Sequence, residues 1–303
     1  MGHWRPAGFL LGFLILMTGS LRSIPQEGSR PIPQTTPGDD PRLAPILRSV
    51  AEYCEKVKRA ALYYVCQEQV TDKEYFFRYR KGESGIKREE RFFDTRRVDV
   101  KTYLYDYQLI KKGDQLTENR TLLTDKGRKR HVRNSSLKNI ENSSQFVVYG
   151  PVGFLSRYWQ EHFRYSIIGQ EEVDGLPAIV LQAVPSEERQ DNYQIGRVWI
   201  GPDFQILRLE LEPASLKEYE DEVLNSPVGE FHKRMVWTID YAVEKNGVRF
   251  PSRQRIQKLF VRVNKDSVEQ RALKRETLFE YLEYKIFQVE TEVKYGPSEE
   301  EPR

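Results

Sequence analysis

The chain is poor in the residues that metal and nucleophilic chemistry draw on. It has two cysteines, four histidines and three methionines among 303 residues. His3, His131, His162 and His232 are scattered, and none stands at metal-ligand spacing with Cys54 or Cys66. No metal and no cofactor is therefore expected. The chain has no Gly-X-Ser-X-Gly, no His-Glu-X-X-His and no phosphate-cradling glycine loop. It also lacks an excess of either charge: 48 Lys and Arg against 45 Asp and Glu leave +3. A nucleic-acid binder would carry a basic surplus gathered on one face, so that class is not expected. No convincing internal repeat is present.

The N-terminus is read as a secretory signal over residues 1–23. His3 and Arg5 precede an apolar stretch from Ala7 to Met17, with small residues after it. Cleavage after Ser20 or after Ser23 fits. A bilayer span needs about 20 apolar residues, so the stretch is too short to cross, and an uncleaved anchor is the alternative. No cysteine follows to take a lipid. Residues 24–41, with five prolines, read as a disordered linker. Residues 42–295 are expected to form one domain and the acidic 296–303 a frayed tail. Export favours disulfides, and Cys54 with Cys66 allows a single pairing, worth about 2–3 kcal/mol. Two buried free thiols are the alternative. The localisation that follows is periplasmic or secreted.

Leu43, Ile46, Leu47, Val50, Tyr53, Cys54 and Val57 recur at three- and four-residue steps and predict a helix behind Asp40 and Pro41. Strand-like runs then follow almost without a break, rich in Tyr, Phe and Val. Asp174-Gly175 and Asn246-Gly247 are hairpin turns. Pro151 to Phe163 predicts a short second helix, and 119–144 reads as loops and short strands. The fold class is mainly β with few helices (α+β): a curled antiparallel sheet with an N-terminal helix and a short second helix packed on it.

The hairpin over 193–211 carries large apolar side chains on both faces. A four-residue connection pairs Ile200 with Gln205 and Val198 with Leu207, and sets Arg197 across from Arg208. Met235, Trp237, Ile239, Tyr241 and Val243 share one face of another strand. Such stripes are ordinary core or the lining of an apolar cavity. Trp199, Ile206, Trp237, Ile239 and Tyr241 are the candidate lining. Arg128, Lys129 and Arg130, inside the basic run 126–133, are candidates for contact with acidic lipid head groups; a solvated loop tip is the alternative. Asn119, Asn134 and Asn142 begin glycan-acceptor triplets, usable only where exported proteins are glycosylated.

Val173-Asp174-Gly175-Leu176-Pro177-Ala178-Ile179-Val180-Leu181, then Pro185, Val198-Trp199-Ile200 and Leu207-Arg208-Leu209-Glu210 resemble the central stretch of the periplasmic outer-membrane lipoprotein carriers, the LolA/LolB-like group. Val248-Arg249-Phe250-Pro251-Ser252 is similar to a later strand start. The resemblance covers about residues 145–260 and implies an open, LolA-like half-barrel whose cavity takes acyl chains. It implies a non-catalytic carrier or sensor, with a lipid or lipidated protein as partner. The chain differs in its length, its basic run and the polar stretch 213–230. Two other readings are an envelope interaction module with a self-filled barrel, and a secreted carbohydrate-active enzyme using Glu210 and Asp240.

Overall fold

The computed structural model describes residues 40–78, 94–112, 115–137, 155–186, 194–213, 224–226, 229–263 and 269–286. All fall in the unit formed by residues 34–303. The expected leader, nearly all of the Pro-rich linker, Asn142, Tyr193 and the acidic tail lie outside the described residues.

Helix α1 spans Leu43–Ala61 and buries the face the periodicity predicts: Leu43, Ile46, Val50, Tyr53, Cys54 and Val57. Its entry is set by Asp40, whose carboxylate accepts the Arg42 backbone N–H at 2.9 Å and pairs with the Arg42 guanidinium at 2.7 Å. These bonds hold the Asp40 carboxyl down at about 2. Pro45 fits the first turn, where a missing N–H costs nothing. Lys58 and Arg59 close the last turn, where positive charge complements the helix dipole.

The strands are β1 (Tyr64–Arg78), β2 (Asp94–Lys112), β3 (Gln115–Asp125), β4 (Arg128–Val132), β5 (Phe163–Val173), β6 (Leu176–Pro185), β7 (Gln194–Ile200), β8 (Ile206–Pro213), β9 (Leu224–Ser226), β10 (Gly229–Asp240), β11 (Val243–Lys245), β12 (Val248–Phe250), β13 (Arg253–Val263) and β14 (Glu269–Ile286). A short helix α2 (Arg157–Gln160) precedes β5. Twelve strands form one antiparallel sheet in the order β4-β3-β2-β1-β14-β13-β10-β8-β7-β6-β5, with β9 paired to β10. The two ends do not meet, so the sheet is not closed into a barrel. β11 and β12 make a separate hairpin.

One core holds side chains from β2 at one end of the sheet, from β5 at the other, and from α1. A flat sheet this wide could not bring them together, so the sheet curls around α1. Tyr53 accepts the Arg249 backbone N–H at 2.8 Å and ties α1 to β12. Gln160, the last residue of α2, donates to the Leu47 carbonyl at 2.8 Å.

Three sequence expectations are corrected. The 200–206 connection runs through a single 3₁₀ turn (Pro202–Phe204), with Asp203 and Phe204 at φ 57° and 58°. Val198 faces Leu209, Trp199 faces Arg208 and Ile200 faces Ile206. This irregularity sends Ile206 inward and Leu207 outward, and it sets Arg197 across from Glu210, with which it pairs. Residues 115–132, expected as loops and short strands, form one hairpin of an eleven-residue and a five-residue strand with a register shift at Leu122–Thr124, turning at Lys126-Gly127 with φ of 48° and 76°. Cys54 and Cys66 are not bridged: both are free, buried thiols. Cys54 packs with the inward face of α1, and Cys66 is in hydrogen-bonding contact with Tyr284.

Candidate functional site

The strand register lines up a belt across the inner face. Leu181 faces Val198, which faces Leu209; Leu209 faces Ile239, Ile239 faces Gln254, Gln254 faces Phe279, and Phe279 faces Val70. All seven have 0% exposure, and six of them are apolar. The described residues therefore cover the wall along this belt.

Gln254 is the exception within the belt. Neither its amide nitrogen nor its amide oxygen has a hydrogen-bond partner among the described residues. Around it the indole N–H of Trp237 and the hydroxyls of Tyr241 and Tyr281 are likewise buried and unpaired. Trp237 stands across from Ile256 and Tyr281 across from Glu68, in the rows flanking the belt. An unpaired buried polar group costs about 1–3 kcal/mol. Burial pushes the Tyr241 and Tyr281 hydroxyls well above their ordinary range, so both keep their protons and remain donors.

Two buried ion pairs lie farther along the wall. Arg120 binds Glu68 through two nitrogens at 2.5 and 3.0 Å, and Glu118 at 2.7 Å. Its guanidinium lies 4.8 Å from the Tyr107 ring centre. Burial pushes the Glu68 carboxyl up, against the pull of Arg120. Arg275 grips Asp72 with two bonds of 2.8 Å, and the Thr277 hydroxyl donates to the same carboxylate at 3.0 Å. The wall is thus an apolar band with unpaired neutral polar groups at its centre and paired charges toward β1, β3 and β14.

Of the lining candidates, Ile206, Ile239 and Tyr241 lie in this core, with Trp237 packed against it. Trp199 stands on the opposite face, among Val173, Ala178, Val180 and Leu207, and donates to Glu171 at 2.7 Å. That cluster covers the second apolar face of the hairpin. Glu210 is held by Arg197, and Asp240 by Arg208 at 2.7 Å and Arg253 at 2.6 Å. These carboxylates serve strand-to-strand ion pairs, so neither stands free as a general acid. Arg128, Lys129 and Arg130 lie on β4, every residue of which is exposed. A pocket of about 280 Å³ opens where β14 bulges at Glu283 (φ 50°), lined in part by Val65, Tyr107, Gln67, Asp106 and Lys285. Gln254 and the Glu68–Arg120 pair were not singled out from sequence; the only signal is that each falls on the inward alternation of its strand.

Neither a protein-family model nor a curated protein sequence matches the chain. Solved structures do. A domain assigned to outer membrane lipoprotein sorting from Vibrio parahaemolyticus is 11% identical, with a TM-score of 0.36, over 82% of this chain and 94% of that one. A DUF1329 family protein from Desulfovibrio piger is 10% identical, with a TM-score of 0.35, over 81% and 95%. A LolA superfamily protein from Nitrosomonas europaea is 11% identical, with a TM-score of 0.30, over 80% and 94%.

Proposed function

We propose that this is an exported, periplasmic, non-catalytic binding protein that takes the acyl chain of a lipid or lipidated protein against the inner wall, with α1 as the cover. The observation that carries this reading is Gln254, an unpaired amide at the centre of a belt that is otherwise entirely apolar. A belt serving stability alone gains by placing leucine there. A pocket for an amphiphile wants an apolar lining with a few convergent polar groups, which is what Trp237, Tyr241, Gln254 and Tyr281 provide. α1 covers part of the wall with an apolar face, so a hydrocarbon chain can replace it in kind. Each buried methylene contributes about 0.8 kcal/mol toward displacing the cover.

The test is native mass spectrometry of the full chain purified from membranes, followed by titration with a fluorescent fatty acid. Retained lipid and saturable uptake are expected. Gln254→Leu should raise the melting temperature while weakening uptake about five- to tenfold, because it removes an unpaired group from the closed state and a partner from the bound one. A bare protein that refuses the fluorescent acid, with Gln254→Leu changing stability alone, replaces this reading with that of an interaction module whose interior is filled by its own side chains.

A further inference from the structure

At one end of the sheet, Lys126 and the residues from Arg128 to Arg133 put six basic side chains, with His131 among them, on a single hairpin. All are exposed. Among the described residues none of these side chains makes an ion pair or hydrogen bond. The rest of the sheet is handled differently. Arg197, Arg208, Arg234, Arg253 and Arg275 each hold a carboxylate. Charge on an edge strand also guards against sheet-to-sheet aggregation. That need is met without a basic surplus at the opposite edge, where the exposed residues of β5 are Arg164, Gln170, Glu171 and Glu172.

An apolar group accompanies the cations. The hairpin turn is fixed beside β2 by the Lys126 backbone N–H, which donates to the Thr102 carbonyl at 2.8 Å. Val132, at the end of β4, is 49% exposed among the cations. Single-stranded nucleic acid would call for aromatic platforms among the cations, and residues 126–133 contain no Phe, Tyr or Trp. Exposed cations beside a short aliphatic side chain suit the phosphate layer and upper acyl region of a bilayer.

We infer that the β3–β4 hairpin is a docking surface for an anionic phospholipid bilayer. The cations meet phosphate head groups, and Val132 meets the interface. The inference stands apart from the binding role of the inner wall, since it uses none of the same residues.

The test is co-sedimentation of the full chain with vesicles of phosphatidylcholine alone and of equal parts phosphatidylcholine and phosphatidylglycerol. The apolar segment 7–17 is present against both, so the difference between them isolates the hairpin. Binding to the anionic vesicles is expected to be about tenfold tighter or more, and to fall with salt. Arg128→Glu with Arg130→Glu should abolish the difference, and Lys129→Ala with Arg133→Ala should reduce it, with far-UV circular dichroism unchanged in both. Equal binding to the two vesicle types, a preference that survives the Arg128→Glu/Arg130→Glu change, or tighter binding to a DNA duplex than to the anionic vesicles overturns the inference.

Discussion

Cys54 and Cys66 show how little a residue's identity says about its chemistry until its surroundings are known. Export argues for a bridge, yet both thiols are free and buried. Burial pushes the Cys54 thiol up to about 12 and moves Cys66 in the same direction. Because these values are raised, the thiolate forms only on the alkaline side, far above neutrality, and alkylation needs the thiolate. Iodoacetamide at pH 8 should therefore leave both cysteines unmodified in the native chain and label both in urea, counted by intact mass. Two labels on the native protein, or none in urea without reductant, would contradict the packing described. Gln254 carries the same lesson. It lies between Arg253 and Arg255, in a stretch whose composition reads as solvent-facing. Only its place in the strand's alternation marks its burial, which comes from pairing with Ile239 and Phe279 on other strands.

Elements were legible wherever their chemistry is local. The step pattern of α1, the period-two stripe from Met235 to Tyr241 and the turns at Asp174-Gly175 and Asn246-Gly247 all depend on near neighbours, and each is present. Lys126-Gly127 makes the same kind of turn, but lysine at a left-handed position is not the usual residue there, and the hairpin went unread. The 200–206 connection was misread because a one-residue irregularity exchanges the faces of Ile206 and Leu207, and alternation alone cannot show where pairing slips. The observed register brings Leu207 over the turn. A Cβ on Gly201 would sit 2.8 Å from Leu207 Cδ1, and Leu207 is buried and cannot swing clear. Gly201→Ala should thus destabilise the fold by about 1–3 kcal/mol in urea unfolding, whereas Gly169→Ala, with open space around its position, should change stability little.

For the whole molecule, the sequence shows a mainly β class with few helices but not strand order. Sequential hairpins account for β1 to β4 and for β5 to β8, yet the two groups meet through β14, β13 and β10. The centre of the sheet is thus contributed by the end of the chain. β1 and β14 pair from Tyr64 with Ile286 to Glu74 with Arg275, and Asp72 with Arg275 forms one of the buried ion pairs across this seam. Ending the chain after Val263 would strip one side of β1 and β13 and leave Asp72 buried without its arginine. Such a chain is expected to lose cooperative unfolding and to be cut rapidly by protease, while ending it after Ile286 should preserve both properties.

That seam also sets a timetable. The strand that completes the sheet is made long after its partner β1: Asp72 and Arg275, which pair across the seam, stand 203 residues apart. Until β14 arrives, the early strands have no finished surface to settle on, and closing so large a loop is slow. A chain built in this order cannot finish its sheet until β14 is made, so its early strands carry an open edge through that interval, the state in which sheet edges are most prone to pair wrongly.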